Sequence, residues 1–294
     1  MRLINVHTLE LSHFLDAKPP PYAILSHTWG DDEVTFQDIQ NLERARAKKD
    51  GFSKIQFCCR QANQDGLEWA WVDTCCIDKT SSAELSETIN SMFRYYTEAF
   101  ICYAYLYDVE LPRGNVEGQL KAAKWFTRGW TLQELIAPFD VVFYDVDWAR
   151  VGAKSQLATY LEGATGIPEG ILNHCIPLQD VSVYRRMRWA SNRCTTRVED
   201  VAYCLLGIFD ISMPLLYGEG KKAFIRLEKE ILSSSHDPSL RECSARADFF
   251  PFCSFQAPHF VLNSQDTRHC PARKKSANIY HSCVGNCKRW PSGY

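Results

Sequence analysis

Three short segments of the 294-residue chain hold side chains whose types could act together on a ligand. The first is Ser26-His27-Thr28-Trp29-Gly30-Asp31-Asp32. The second is Asp73-Thr74-Cys75-Cys76 with Asp78 and Lys79, and the third is Arg128-Gly129-Trp130 with Glu134. One arginine and one lysine among several carboxylates could hold an anionic group, and Trp29 or Trp130 could stack on a flat ring. A Cys75–His27 nucleophile pair is a further chemistry that these residues allow. Plain structural roles stand beside these. Glu134 lies three residues after Thr131, the spacing of a capping box. His27 could bond a neighbouring backbone group, Asp73 and Asp78 suit a turn, and Cys75 suits a buried, inert thiol. The run Arg185, Arg186, Arg188 and Arg193 reads as a solvated or acid-paired face. The sequence has no glycine-rich phosphate loop. Metal ligation is not indicated either, because no Cys-x-x-Cys occurs and Cys270, His281, Cys283 and Cys287 lack paired ligand spacing.

A parallel sheet would bring the three segments together. Short, almost continuously apolar runs at Tyr22–Trp29, Trp69–Cys75, Phe100–Leu106 and Val141–Tyr144 fit strands covered on both faces. Between the first two, Ser53 and Gln56 have capping-box spacing, and Ile55, Cys58, Cys59 and Ala62 share one helical face. Ser81 and Glu84 repeat the box before a helix with the stripe Leu85, Ile89, Met92, Phe93 and Tyr96. A third helix starts near Thr131 and stops before Pro138. This alternation implies right-handed crossovers and a doubly wound α/β sheet. Such sheets bind ligands beyond the carboxyl ends of their strands, where all three segments fall. Further on, Thr196 and Glu199 open a helix, and 221–232 reads as another with Phe224, Leu227 and Ile231 inward. The chain is thereby divided into a 1–150 parallel α/β core, a 151–235 helical part packed on it, and a divergent, poorly ordered 236–294 tail.

Bulk properties exclude several classes. The chain has 33 Lys+Arg against 35 Asp+Glu, a net charge of −2, with 46% apolar and 23% charged residues. That composition suits a folded globular protein and gives no basic excess for nucleic acid. The total averages two regions: 1–238 carries 25 basic and 32 acidic side chains (−7), and 239–294 carries 8 and 3 (+5). No apolar run reaches the roughly 18 residues of a membrane span, and the N-terminus has no signal-peptide core. No membrane segment and a cytoplasmic location are therefore expected. Thirteen cysteines, with the pairs Cys58-Cys59 and Cys75-Cys76 inside apolar segments, read as reduced buried thiols.

The segments closely resemble the fungal HET (heterokaryon incompatibility) domain. The matching stretches are Tyr22–Gly30, Trp71–Lys79, Ser82–Met92, Trp125–Leu135, Glu199–Ile208 and Met213–Gly220. The resemblance implies nonself recognition that triggers cell death when incompatible strains fuse. It also implies a distant kinship with TIR domains, and so a TIR/flavodoxin-like parallel sheet with a C-terminal helical layer. Some TIR domains hydrolyse NAD with a glutamate in a Trp-x-x-x-Glu spacing, which Trp130-Thr-Leu-Gln-Glu134 reproduces. By that analogy Glu134 is the catalytic candidate, and His27, Trp29, Gly30, Asp73, Asp78, Lys79, Arg128 and Trp130 are the ligand-binding candidates. No cofactor is required, and NAD is the expected substrate. The alternative is a death-signalling scaffold without catalysis. Expected partners are further copies of the chain and an incompatibility or NLR-like protein.

Overall fold

The computed structural model describes residues 1–14, 18–110 and 116–234. They belong to one unit, Met1–Leu262, while the second unit, Asn263–Tyr294, and the expected 236–294 tail lie outside the described residues. The chain begins with strands β1 (Arg2–Asn5), β2 (Leu11–His13) and β3 (Tyr22–His27). Helices α1 (Phe36–Ile39), α2 (Leu42–Ala47) and α3 (Lys49–Gln64) lead to β4 (Trp69–Trp71). Then come α4 (Ser82–Glu98), β5 (Ile101–Tyr105), α5 (Val116–Ala122), a 3-10 turn (Lys124–Thr127), α6 (Thr131–Ile136) and β6 (Val141–Tyr144). β7 (Arg150–Ala153) carries the sheet past residue 150. It is followed by α7 (Lys154–Thr165), α8 (Glu169–Leu172), α9 (Val183–Ala190), α10 (Asp200–Tyr203), α11 (Leu206–Phe209) and α12 (Lys222–Ser234).

The seven strands form one sheet in the order β2-β1-β4-β3-β5-β6-β7. The inner four are parallel, with Ala23 opposite Ala70 of β4 and Ile101 of β5, and Cys102 opposite Val141. β1, β2 and β7 add to the edges in antiparallel sense. The alternating polar N-terminus and the Arg150 stretch lack the continuous apolar character of the inner strands, which is why neither reads as a parallel strand. β3 and β6 are buried at every residue, as strands covered on both faces must be. The chain passes from β3 to β4 in one direction and from β4 to β5 in the other. Right-handed crossovers then put α3 on one face and α4 on the opposite one. α4 packs against α6 and α11, and α3 against β3 and β4.

Of the expected capping signals, the one at Ser81 is honoured in part and the others are not. Ser81 accepts the Glu84 N–H and caps α4, although the Glu84 carboxylate turns to the Asp78 N–H and to Arg2 instead of closing the box. α3, in contrast, starts four residues before Ser53. Lys48 precedes it without a side-chain cap, and the Ser53 hydroxyl donates to the Asp50 carbonyl inside the helix. α10 likewise begins after Glu199, which pins a loop downstream by accepting the N–H groups of Gly218 and Gly220. Those two glycines have φ of 103° and 63°, a region that favours residues without Cβ.

Candidate functional site

β3 delivers Ser26 and His27 to opposite faces of the sheet, because successive side chains of a strand alternate. On the face covered by α4 and α6, the Ser26 hydroxyl donates to Glu134 Oε2. The Trp125 indole N–H donates to Ser26 Oγ at 2.8 Å. Tyr96 of α4 bonds Glu134 as well and donates to the Leu25 carbonyl at 3.2 Å. Glu134 is 7% exposed. Burial raises its pKa to about 8; the Ser26 bond opposes this, the Asp73 charge adds to it, and the Tyr96 bond and the Arg193 charge oppose it. Glu134 is therefore mostly protonated at neutral pH. It is not a capping residue: Trp130 precedes α6 without a side-chain cap, and the Thr131 hydroxyl turns to the Trp125 and Arg128 carbonyls.

On the other face, His27 is buried and Nε2 lies 3.4 Å from Asp73 Oδ1, outside hydrogen-bond alignment. Burial lowers its pKa to about 4 against the pull of Asp73, so the ring is neutral. Lys54 of α3 donates to the Thr28 carbonyl at 3.3 Å and pairs with Glu33. The Gly30 N–H donates to Glu33 Oε1 at 2.8 Å. Asp73 Oδ2 accepts the Trp29 indole N–H at 2.7 Å, and the Lys79 ammonium lies 3.6 Å from the centroid of that ring. Trp29 is 53% exposed, an open aromatic face beside a cation. Five buried side-chain atoms here have no hydrogen-bond partner: His27 Nδ1 and Nε2, Thr28 Oγ1, Glu33 Oε2 and Thr74 Oγ1. Buried polar groups are nearly always partnered, so such a cluster is suited to a polar ligand. Asp73 joins the two faces, since its charge acts on both His27 and Glu134.

His27, Trp29, Gly30, Asp73, Lys79 and Glu134 are thus gathered at one sheet edge, and three other candidates are engaged elsewhere. Asp78 accepts the Thr80 N–H and hydroxyl and the Gln37 amide at 3.0, 2.6 and 2.9 Å, as a turn residue. Arg128 reaches Thr196 Oγ1 at 3.1 Å, and Trp130 bonds Asp200. The Cys75 thiol turns to the Val72 carbonyl and to Cys76, and burial holds its pKa well above the usual thiol range. That environment opposes thiolate formation and leaves Cys75 inert. Among the described residues no group of three or more His, Cys, Asp or Glu could hold a metal, and no helix is long and apolar enough to cross a membrane.

In the basic run, Arg185 and Arg188 are exposed as expected, while Arg186 and Arg193 are not on a solvated face. Arg186 donates to the Ile208 carbonyl at 2.8 Å, and Arg193 is buried at 3% exposure. Arg193 Nη1 donates to the Arg128 carbonyl at 2.9 Å and to Thr131 Oγ1 at 2.8 Å. A second buried cation, Lys154, donates to the Pro138 and Leu135 carbonyls at 2.6 and 3.3 Å, at the other end of α6. Burial lowers its pKa to about 8. Ser26, a small hydroxyl in the interior of a largely apolar strand, was the sequence signal for the Glu134 contact. Arg193 and Lys154 carried no comparable signal, because they come from chain after β6, Lys154 from the start of α7 and Arg193 from the loop after α9.

Residues 22–114 match the family model of the heterokaryon incompatibility protein (HET). The vegetative incompatibility protein HET-E-1 of Podospora anserina is 52% identical over 223 residues, covering 73% of this chain. The chain spans 16% of that protein's length. No solved structure matches the chain.

Proposed function

The chain belongs to the heterokaryon incompatibility (HET) family, and from that premise we propose that it acts in nonself recognition and promotes cell death by a TIR-like hydrolysis of NAD. The observation that carries the reading is the set of unpartnered buried polar atoms at the ends of β3 and β4, with an acid of strongly raised pKa on the opposite face of β3 and the Asp73 charge acting on both. The inner strand order β4-β3-β5-β6 supports a flavodoxin-like sheet, whose ligands bind where the order reverses, between β3 and β5. Glu134 lies against β3 at that place.

In this reading the Trp29 ring takes a base of the dinucleotide and Lys79 moves from that ring to the pyrophosphate. Trp130 and Arg128, held by Asp200 and Thr196, are left out of ligand binding. The bond between nicotinamide and ribose C1′ breaks, and its electron pair leaves with nicotinamide. Water adds to C1′ and releases a proton, giving ADP-ribose. A carboxylate serves the oxocarbenium-like transition state by orienting the ribose hydroxyls and answering the developing positive charge. Glu134 must lose its proton to do so, and the rate should rise with pH toward about 8.

The seal over Glu134 favours a second reading, a signalling module that acts by self-association or by recruiting an incompatibility or NLR-like partner. Its carboxyl is enclosed by Ser26 and Tyr96, with Trp125 behind Ser26. The deciding experiment follows nicotinamide release from NAD by the purified chain and by Glu134→Gln over a range of protein concentrations. Release that is lost in the variant supports hydrolysis. No release at high concentration with oligomers present refutes it and leaves the scaffold.

A further inference from the structure

We infer that Arg193 is a positioning residue for Glu134, so that the loop after α9 completes the site at the strand ends. This inference deepens the hydrolytic reading, and its first test is independent of turnover. The segment 193–195 is laced to the turn that opens α6. The Gly129 N–H donates to the Cys194 carbonyl at 2.8 Å, and the Cys194 N–H donates to the Thr127 carbonyl at 2.6 Å. Arg193 adds its bonds to the Arg128 carbonyl and Thr131 Oγ1, one on each side of Trp130. The approach is close enough that a Cβ on Gly129 would meet Thr195 Cγ2 at 2.5 Å. Only a residue without a side chain lets the two segments meet this way.

A guanidinium at 3% exposure is an expensive group to bury, and among the described residues only the Arg128 and Thr131 oxygens meet it at hydrogen-bond distance. Among the described residues its Nη2 has no partner, and Arg193 lines a small hollow together with Gly129 and Cys204. What a charge does there that a neutral donor could not is act on Glu134. The groups around that carboxyl come from four elements: Ser26 from β3, Tyr96 from α4, Cys102 from β5 and Asp73 from the loop after β4. Asp73 disfavours its ionised form, and the Arg193 charge favours it. Arg193 therefore fixes where the first turn of α6 sits, through its bonds to the Arg128 carbonyl and Thr131, and adds a charge that favours the carboxylate form of Glu134.

The test uses the full chain and two variants: Arg193→Gln, which keeps amide donors without charge, and Arg193→Lys, which keeps charge without the planar fork. The protonated-carboxyl infrared band of Glu134, assigned by its loss in Glu134→Gln, is followed against pH. In Arg193→Gln the titration midpoint should rise, because a charge that favours the carboxylate is lost. In Arg193→Lys it should return toward wild type. Any pH profile of nicotinamide release should shift in the same direction. A midpoint unmoved in a folded Arg193→Gln overturns the inference, and so does failure of both variants to fold, which would make Arg193 a plain structural residue. A shifted midpoint in a chain that releases no nicotinamide leaves the inference standing and refutes the hydrolytic reading alone.

Discussion

Replacing Glu134 by glutamine should make the protein progressively more stable than wild type as pH rises. Below about pH 4.5, the ordinary value for this carboxyl, folded and unfolded chains both hold the proton and its burial carries no ionic cost. Between about 4.5 and about 8 the unfolded chain loses the proton while the folded chain keeps it. Stability then falls by about 1.36 kcal/mol per pH unit and levels off above the folded value. Glutamine has nearly the same shape and does not titrate. The difference between variant and wild type should therefore grow by about 3 kcal/mol between roughly pH 5 and pH 7.5, an upper bound because water can reach the opened site. Urea unfolding of both proteins at the two pH values measures it. The constant offset from the altered Ser26 and Tyr96 bonds cancels in the comparison. A difference that stays flat with pH would refute the reasoning, because it would mean that Glu134 is already ionised in the folded protein.

Three further outcomes follow from named contacts. Gly207→Ala should destabilise the protein by about 2 kcal/mol or more, read as a lowered Tm, because the added Cβ would fall 2.1 Å from Phe93 Cβ where α11 crosses α4. Lys154→Met should cost about 2 kcal/mol at neutral pH in denaturant unfolding, since the Pro138 and Leu135 carbonyls lose a buried donor. Alkylation under native conditions, followed by peptide mass spectrometry, should modify the exposed Cys175 and leave Cys75 unmodified until the protein is unfolded. Rapid native labelling of Cys75 would reinstate it as a nucleophile.

The parallel strands were readable because each is an almost continuous apolar run, and β6 matches its expected bounds, Val141–Tyr144. The edge strands were not readable, since β2 and β7 each expose residues to solvent and lack that continuous apolar character. The gathering of His27, Trp29, Asp73, Lys79 and Glu134 followed from topology, which places every βα turn at one edge. Trp130, Arg128 and Asp78 occupy the same turns but point elsewhere, and sequence distance cannot tell a side chain which neighbour it will find. Arg193 shows the converse limit: a buried cation and a surface cation are spelled alike, and only the contacts distinguish them.

α6 has six residues and is held at both ends by cations from later in the chain, Arg193 of the loop after α9 at its start and Lys154 of α7 at its end. This has a consequence for inheritance. If two diverged alleles recombined between residues 140 and 190, a glutamate from one parent would be paired with the arginine from the other. Such a hybrid could keep every strand intact and still hold its acid in the wrong state of charge. The stretches 128–136 and 190–195 thus form a single structural unit, although more than fifty codons separate them.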